Sequence, residues 1–180
     1  MHLSIDPVIG SVCRLLLSLL FAAAARHKLR AHREFLAVLR EYQLLPARSV
    51  ALAAILVIGA EVFAACGIWW TSLRVPAAAV AVVLLVAYGA AIGINLWRGR
   101  REIDCGCSFG PSQQPLSAAL LARNAVLLLP CAAAGLPLSG PINWVVCGTS
   151  LLAACVFALC YQVWGVLLAN RPRALRLIGQ

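Results

Sequence analysis

Five stretches of this chain, at residues 8–28, 48–71, 75–97, 117–136 and 142–168, are apolar over the length of a bilayer crossing. One crossing takes about 20 mostly apolar residues as a helix, and in lipid every backbone amide and carbonyl must be satisfied within the protein. The expected fold class is therefore all-α, a polytopic membrane helix bundle with about five transmembrane helices. Only 12% of the residues are charged and 63% are apolar, whereas soluble domains carry charge on roughly a quarter of their residues. Neither a Gly/Ser linker nor an internal repeat marks off a second unit, so residues 1–180 read as a single integral membrane domain. Arg14 interrupts the first stretch, and the small residues Ala22 to Ala25 favour a competing signal-peptide reading. The segment before it lacks the Lys or Arg of a signal-peptide start, so a retained helix is expected.

Between the first two apolar stretches the period changes. Phe35, Val38, Leu39 and Tyr42 fall on one helical face, with Arg33, Glu34, Arg40 and Glu41 opposite. This spacing predicts an amphipathic helix lying at the membrane surface, ended by Pro46. Whether it binds a partner or only connects is open.

The net charge of +9 does not point to nucleic acid, because the basic residues gather beside the ends of the apolar runs. Arg26, Lys28, Arg30, Arg33, Arg40 and Arg48 fill the first connection, Arg98, Arg100 and Arg101 the third, and Arg171, Arg173 and Arg176 the tail. The second connection has only Arg74, and the fourth, around Pro137 to Pro141, has none. Five crossings with the amino terminus outside and the carboxyl terminus in the cytoplasm satisfy all of these biases in a cell inner or plasma membrane.

Asp104-Cys105-Gly106-Cys107-Ser108-Phe109-Gly110 lies in the third connection. Two thiols separated by one glycine, beside a bilayer, suggest electron exchange. Glycine permits the tight turn, and a ring so short is strained and thus easily reduced. The charge bias places this pair at the cytoplasmic side, where exposed thiols are kept reduced; Gly106, Gly110, Pro111 and Pro115 alternatively suit a re-entrant turn back into the bundle. Zinc would need more ligands, and only His27 and His32 offer them from the same side. Copper(I), which accepts two thiolates, fits the bare pair better, and a purely structural pair also remains open. No metal is assigned. Cys13, Cys66, Cys131, Cys147, Cys155 and Cys160 fall within apolar runs, where thiols usually serve as small packing residues; a relay of disulfide exchange among them is the alternative.

Glu61 sits near the middle of the second run. A carboxyl group at that depth normally faces the bundle interior and is a functional candidate, here as a proton carrier. The structural alternative is an internal ion pair, with Arg14 expected to approach it on an antiparallel neighbour. Arg123 and Asn124, about one turn into the fourth run, match Asn95 and Arg98 in depth. All four are expected to converge near the cysteine pair, where a guanidinium would favour the thiolate.

Lys28 at the basic end of the first run, Tyr42-Gln43-Leu44-Leu45-Pro46, Glu61, Arg98-Gly99 ahead of Cys105-Gly106-Cys107, and Arg123-Asn124 together resemble the methylamine-utilisation MauE family, within the wider DoxX-like membrane group. The resemblance covers roughly residues 8–130. It implies a membrane protein that supports maturation of methylamine dehydrogenase, whose small subunit is rich in disulfides, together with a thioredoxin-like partner. Ser108 is a departure, since the family pattern runs Cys-Gly-Cys-Phe-Gly.

The leading expectation is a membrane thiol–disulfide redox or maturation factor. Cys105, Cys107 and Glu61 would carry the chemistry, supported by Arg123, Asn124, Asn95 and Arg14. Its partners would be the bilayer, a thioredoxin-like protein and a disulfide-containing client. No cofactor is evident; a quinone enters only by analogy with membrane disulfide-forming systems. A non-enzymatic assembly or anchoring subunit and a small proton-coupled transporter using Glu61 are the alternatives.

Overall fold

The computed structural model describes residues 4–100 and 116–178, with side chains up to residue 167. Six α-helices follow one another in it: α1 (Pro7–Arg30), α2 (His32–Glu41), α3 (Val50–Gly67), α4 (Arg74–Trp97), α5 (Ala118–Gly135) and α6 (Trp144–Ile178). A short 3-10 turn, Ala47–Ser49, leads into α3. Among the described residues, five helices are long and apolar enough to cross a membrane: α1, α3 with its leading turn, α4, α5, and α6 as far as Leu167. The expected all-α polytopic bundle is thus observed.

Local chemistry sets the helix ends. Asp6 caps α1, its carboxylate accepting from the amides of Val8 (2.9 Å) and Ile9 (3.3 Å), and Pro7 occupies the first turn, where a missing N–H costs nothing. At the end of α4, the Gly99 amide donates to the Leu96 carbonyl and the Arg100 amide to that of Asn95. Gly99 supplies the left-handed backbone (φ 74°) that this closure requires. Gln43 adopts a similar turn after α2, with φ 49°, so Tyr42-Gln43-Leu44-Leu45-Pro46 is where α2 stops and the chain turns toward α3.

Helices α1, α3, α4 and α5 form a closed ring of four, each packed against its neighbours in the order α1, α3, α4, α5 and back to α1. The core is built around small side chains, Ala64, Ala65, Ala77, Ala78 and Ala81, filled out by Leu17, Phe21, Leu84 and Leu85. In lipid, where apolar burial gives little drive for helix association, small residues let backbones approach closely. Gly135 shows how close: a Cβ there would stand 3.2 Å from that of Ala78. Helix α6 lies outside the ring along α1 and scarcely touches α5.

Successive crossings are antiparallel, so the bundle has a basic end, where α1 and α4 finish, and a distal end. At the distal end Ile5 pairs with the α5–α6 connection through hydrogen bonds to Pro137 and from Ser139. Helix α2 lies at the basic end with Arg33, Glu34, Arg40 and Glu41 on its outer side, as its periodicity predicts. Its apolar face is covered by protein: Phe35 packs on Ala54 and Ile58, and Tyr42 packs with Ile92, Leu116 and Leu120.

Candidate functional site

Glu61 is fully buried in α3, at the junction of three helices of the ring. Its Oε1 accepts from the Lys28 ammonium of α1 (2.5 Å) and from the Tyr88 hydroxyl of α4 (2.6 Å). Lys28 is itself 1% exposed, and its Nζ lies 5.3 Å from the Phe35 ring centroid and 5.2 Å from that of Tyr88. The cation is therefore held by one carboxylate and two aromatic faces, both favourable for a desolvated ammonium. Glu61 Oε2 is buried and has no hydrogen-bond partner among the described residues. The cluster is an internal ion pair in which the second carboxylate oxygen stands without a partner among the described residues.

The expected Arg14–Glu61 pairing does not occur, and helix geometry explains why. The Ser18 hydroxyl donates to the Ala65 carbonyl (2.7 Å), which sets the antiparallel register of α1 against α3. In that register Lys28 stands roughly 9 Å toward the basic end from Glu61, and Arg14 about 12 Å toward the distal end, at 1.5 Å per residue. Helical side chains lean toward their own N-terminus. Lys28 therefore leans inward and Glu61 leans toward it, whereas Arg14 leans away. Lys28, grouped by sequence with the surface cations, is the residue that meets the carboxylate. Tyr88 carried no sequence signal of its own, and Phe35 was legible only as part of an apolar helical face.

Arg14 is used elsewhere. Its Nε donates to the Ala134 carbonyl (3.2 Å) and its Nη2 to that of Leu136 (2.8 Å), while Arg74 Nε donates to Gly135 (3.1 Å). Two arginines thus satisfy the open carbonyls at the C-terminal end of α5, where positive charge also complements the helix dipole.

At the basic end the four residues expected near the cysteine pair differ in their surroundings. Asn95 and Asn124 are buried in the paired helices α4 and α5, Asn95 donating to the Ala91 carbonyl (3.0 Å), but Arg98 is exposed. The Arg123 guanidinium lies over the Tyr161 ring of α6, 5.6 Å from its centroid. Cys105 and Cys107 lie outside the described residues. The other six cysteines are free, with Cys131 buried in the main core, Cys13 packed against that core, and Cys66, Cys147, Cys155 and Cys160 exposed. Among the described residues no three His, Cys, Asp or Glu side chains group as a metal would require.

Comparison with known proteins agrees with the sequence pattern. A family model described as methylamine utilisation protein MauE matches residues 6–137. The chain is 40% identical over 159 residues to the methylamine utilization protein MauE of Paracoccus denitrificans, covering 87% of this chain and 86% of that protein. It is 38% identical over 180 residues to the protein of the same name from Paracoccus versutus, with 97% of each chain covered. Against that of Methylorubrum extorquens the identity is 37% over 161 residues, covering 84% and 87%. No solved structure matches the chain. With the family match reaching from the cap of α1 to the end of α5, and so across the ring that buries Glu61, the chain belongs to the MauE family of methylamine utilisation proteins.

Proposed function

We propose that this protein serves methylamine utilisation as a membrane thiol–disulfide redox factor in which Cys105 and Cys107 alternate between dithiol and disulfide. The observation that carries this reading is a Cys-Gly-Cys segment in the connection that follows α4, the helix whose Tyr88 hydrogen-bonds the buried acid of α3. The segment joins α4 to α5, and Tyr88, Ile92 and Asn95 share one face of α4, running from the Glu61 hydrogen bond toward that connection. Buried Asn124 offers a further hydrogen-bonding group on α5.

One thiolate of the pair attacks the disulfide of a thioredoxin-like partner, giving a mixed disulfide and releasing one partner thiol. The second thiolate then displaces the other, leaving the pair oxidised and the partner reduced by two electrons. Protons leaving the pair's thiols are taken up by the departing partner thiolates, with Glu61 as a transient proton carrier. The reverse sequence carries reducing equivalents the other way. A quinone could equally accept the two electrons and two protons, becoming a quinol. The client is a disulfide-containing protein such as methylamine dehydrogenase. We place the basic end, and with it the cysteine pair, at the cytoplasmic side of the inner membrane, with the amino terminus outside.

The test replaces Cys105 and Cys107 by serine. Loss of client disulfides at a normal membrane level supports redox work; full client maturation overturns it. Persistent failure of the client to reach the membrane, with its disulfides intact, would favour the assembly-subunit reading. Labelling the pair with a membrane-impermeant thiol reagent in intact and opened cells, with the other cysteines replaced, tests the assigned side.

A further inference from the structure

Outside its core the bundle leaves a large apolar recess. Because α6 follows α1 but scarcely touches α5, a groove of about 870 Å³ opens between the three helices, lined by residues such as Leu16, Leu20, Pro130, Ala153, Phe157 and Tyr161. That volume lies within the range of sites that enclose whole ligands, roughly 300–1,000 Å³. Its walls are almost entirely apolar, and it follows α1 from Val8 to Ala23, most of a bilayer crossing.

The groove has a cationic mouth at its basic end. On α5, Val126, Leu127 and Pro130 line it, and Arg123 lies three, four and seven positions before them, on the same helical face one turn nearer the basic end. Its guanidinium rests on Tyr161, itself a wall of the groove, and its Nε is buried without a hydrogen-bond partner among the described residues. On α1 the lining residue Ala23 is followed three positions later by the exposed Arg26. Neither helix contributes an acid at this end: α1 has none from Pro7 to Arg30 and α5 none from Ala118 to Gly135.

We propose that the groove is a binding site for an anionic glycerophospholipid, with an acyl chain between α1, α5 and α6 and its phosphate at Arg123 and Arg26. The phosphate supplies an acceptor that the Arg123 Nε–H does not find among the described residues, in a charge-assisted hydrogen bond. The chain fills the wedge that keeps α6 from α5, so the lipid joins the outer helix to the ring. Charge complementarity at the mouth selects an anionic head over a zwitterionic one, and over the neutral head of a quinone.

The test is native mass spectrometry of the full chain, delipidated in detergent and titrated with phosphatidylglycerol or phosphatidylcholine of the same acyl chains. Retention of about one phosphatidylglycerol per chain is expected, in preference to phosphatidylcholine. Arg123→Gln should reduce that preference about fivefold, as expected for one arginine near an anionic headgroup, while Arg123→Lys should keep most of it. Ala158→Phe, which fills the groove without touching charge, should lower retention of both lipids. Equal retention of the two lipids by the wild type overturns the proposal, as does a preference unchanged in Arg123→Gln or retention unchanged in Ala158→Phe. Co-purification of a quinone that phosphatidylglycerol does not displace also overturns it. Unfolding profiles of the variants distinguish lost lipid from lost fold, and Arg123→Lys reads out the headgroup contact even if Arg123→Gln misfolds.

Discussion

Replacing Lys28 by methionine keeps most of the side chain's length and removes its charge, leaving Glu61 in a site with no solvent exposure where, among the described residues, Tyr88 alone still hydrogen-bonds it. Removing one partner of a buried ion pair typically costs about 3–5 kcal/mol, because the remaining charge is desolvated and unmatched. Two ring contacts to the ammonium are lost as well, each worth about 0.5–2 kcal/mol, although methionine recovers part of their packing. A loss of about 4–6 kcal/mol is therefore expected. Glu61→Gln alone leaves Lys28 buried and unmatched and should cost a similar amount. In the double variant neither charge remains, and the carbonyl oxygen of the introduced amide can still accept from Tyr88, so stability should return to within about 1 kcal/mol of wild type. The cycle should thus show a coupling of at least about 2 kcal/mol, far outside the roughly 0.5 kcal/mol scatter of independent sites. Reversible unfolding in mixed detergent and dodecyl sulfate micelles, followed by tryptophan fluorescence, measures all four proteins. Additive losses would refute the assignment of Lys28 and Glu61 as one buried unit.

Three further outcomes follow from the packing. Arg14→Met removes two hydrogen bonds to the end of α5 and should lower stability by about 1–3 kcal/mol, with Arg14→Lys recovering little because a single ammonium cannot reproduce the forked donor geometry; the same unfolding assay reads both. Gly135→Val pushes α5 from Ala78 and should cost about 1–3 kcal/mol, partly restored when Ala78→Gly is added. Gln43→Gly relieves a left-handed backbone at φ 49° and should be neutral or stabilising by up to about 1 kcal/mol, whereas Gln43→Val should destabilise by about 1–2 kcal/mol.

The crossings were legible because hydropathy is a property of each helix alone: a run of apolar residues long enough to span lipid has no other stable place to go. The same local logic found α2, whose charged face is set by spacing, and singled out Glu61, since a carboxylate at that depth needs an interior. The family pattern likewise needed only residues in order. Which groups meet across helices was a different matter, because it depends on the order of helices around the ring and on their relative depth. Close contacts such as Gly67 against Ala77 and Gly135 against Ala78, and the Ser18 bond to Ala65, set that depth. A shift of a few residues decides whether Arg14 or Lys28 reaches the acid, and adjacent positions on α5 point Asn124 into the ring and Arg123 toward α6. Sequence determined that this chain lives in a membrane and buries an acid there; tertiary packing alone decided that a lysine neutralises it, that Arg14 caps a helix instead, and that α6 leaves a groove beside the ring.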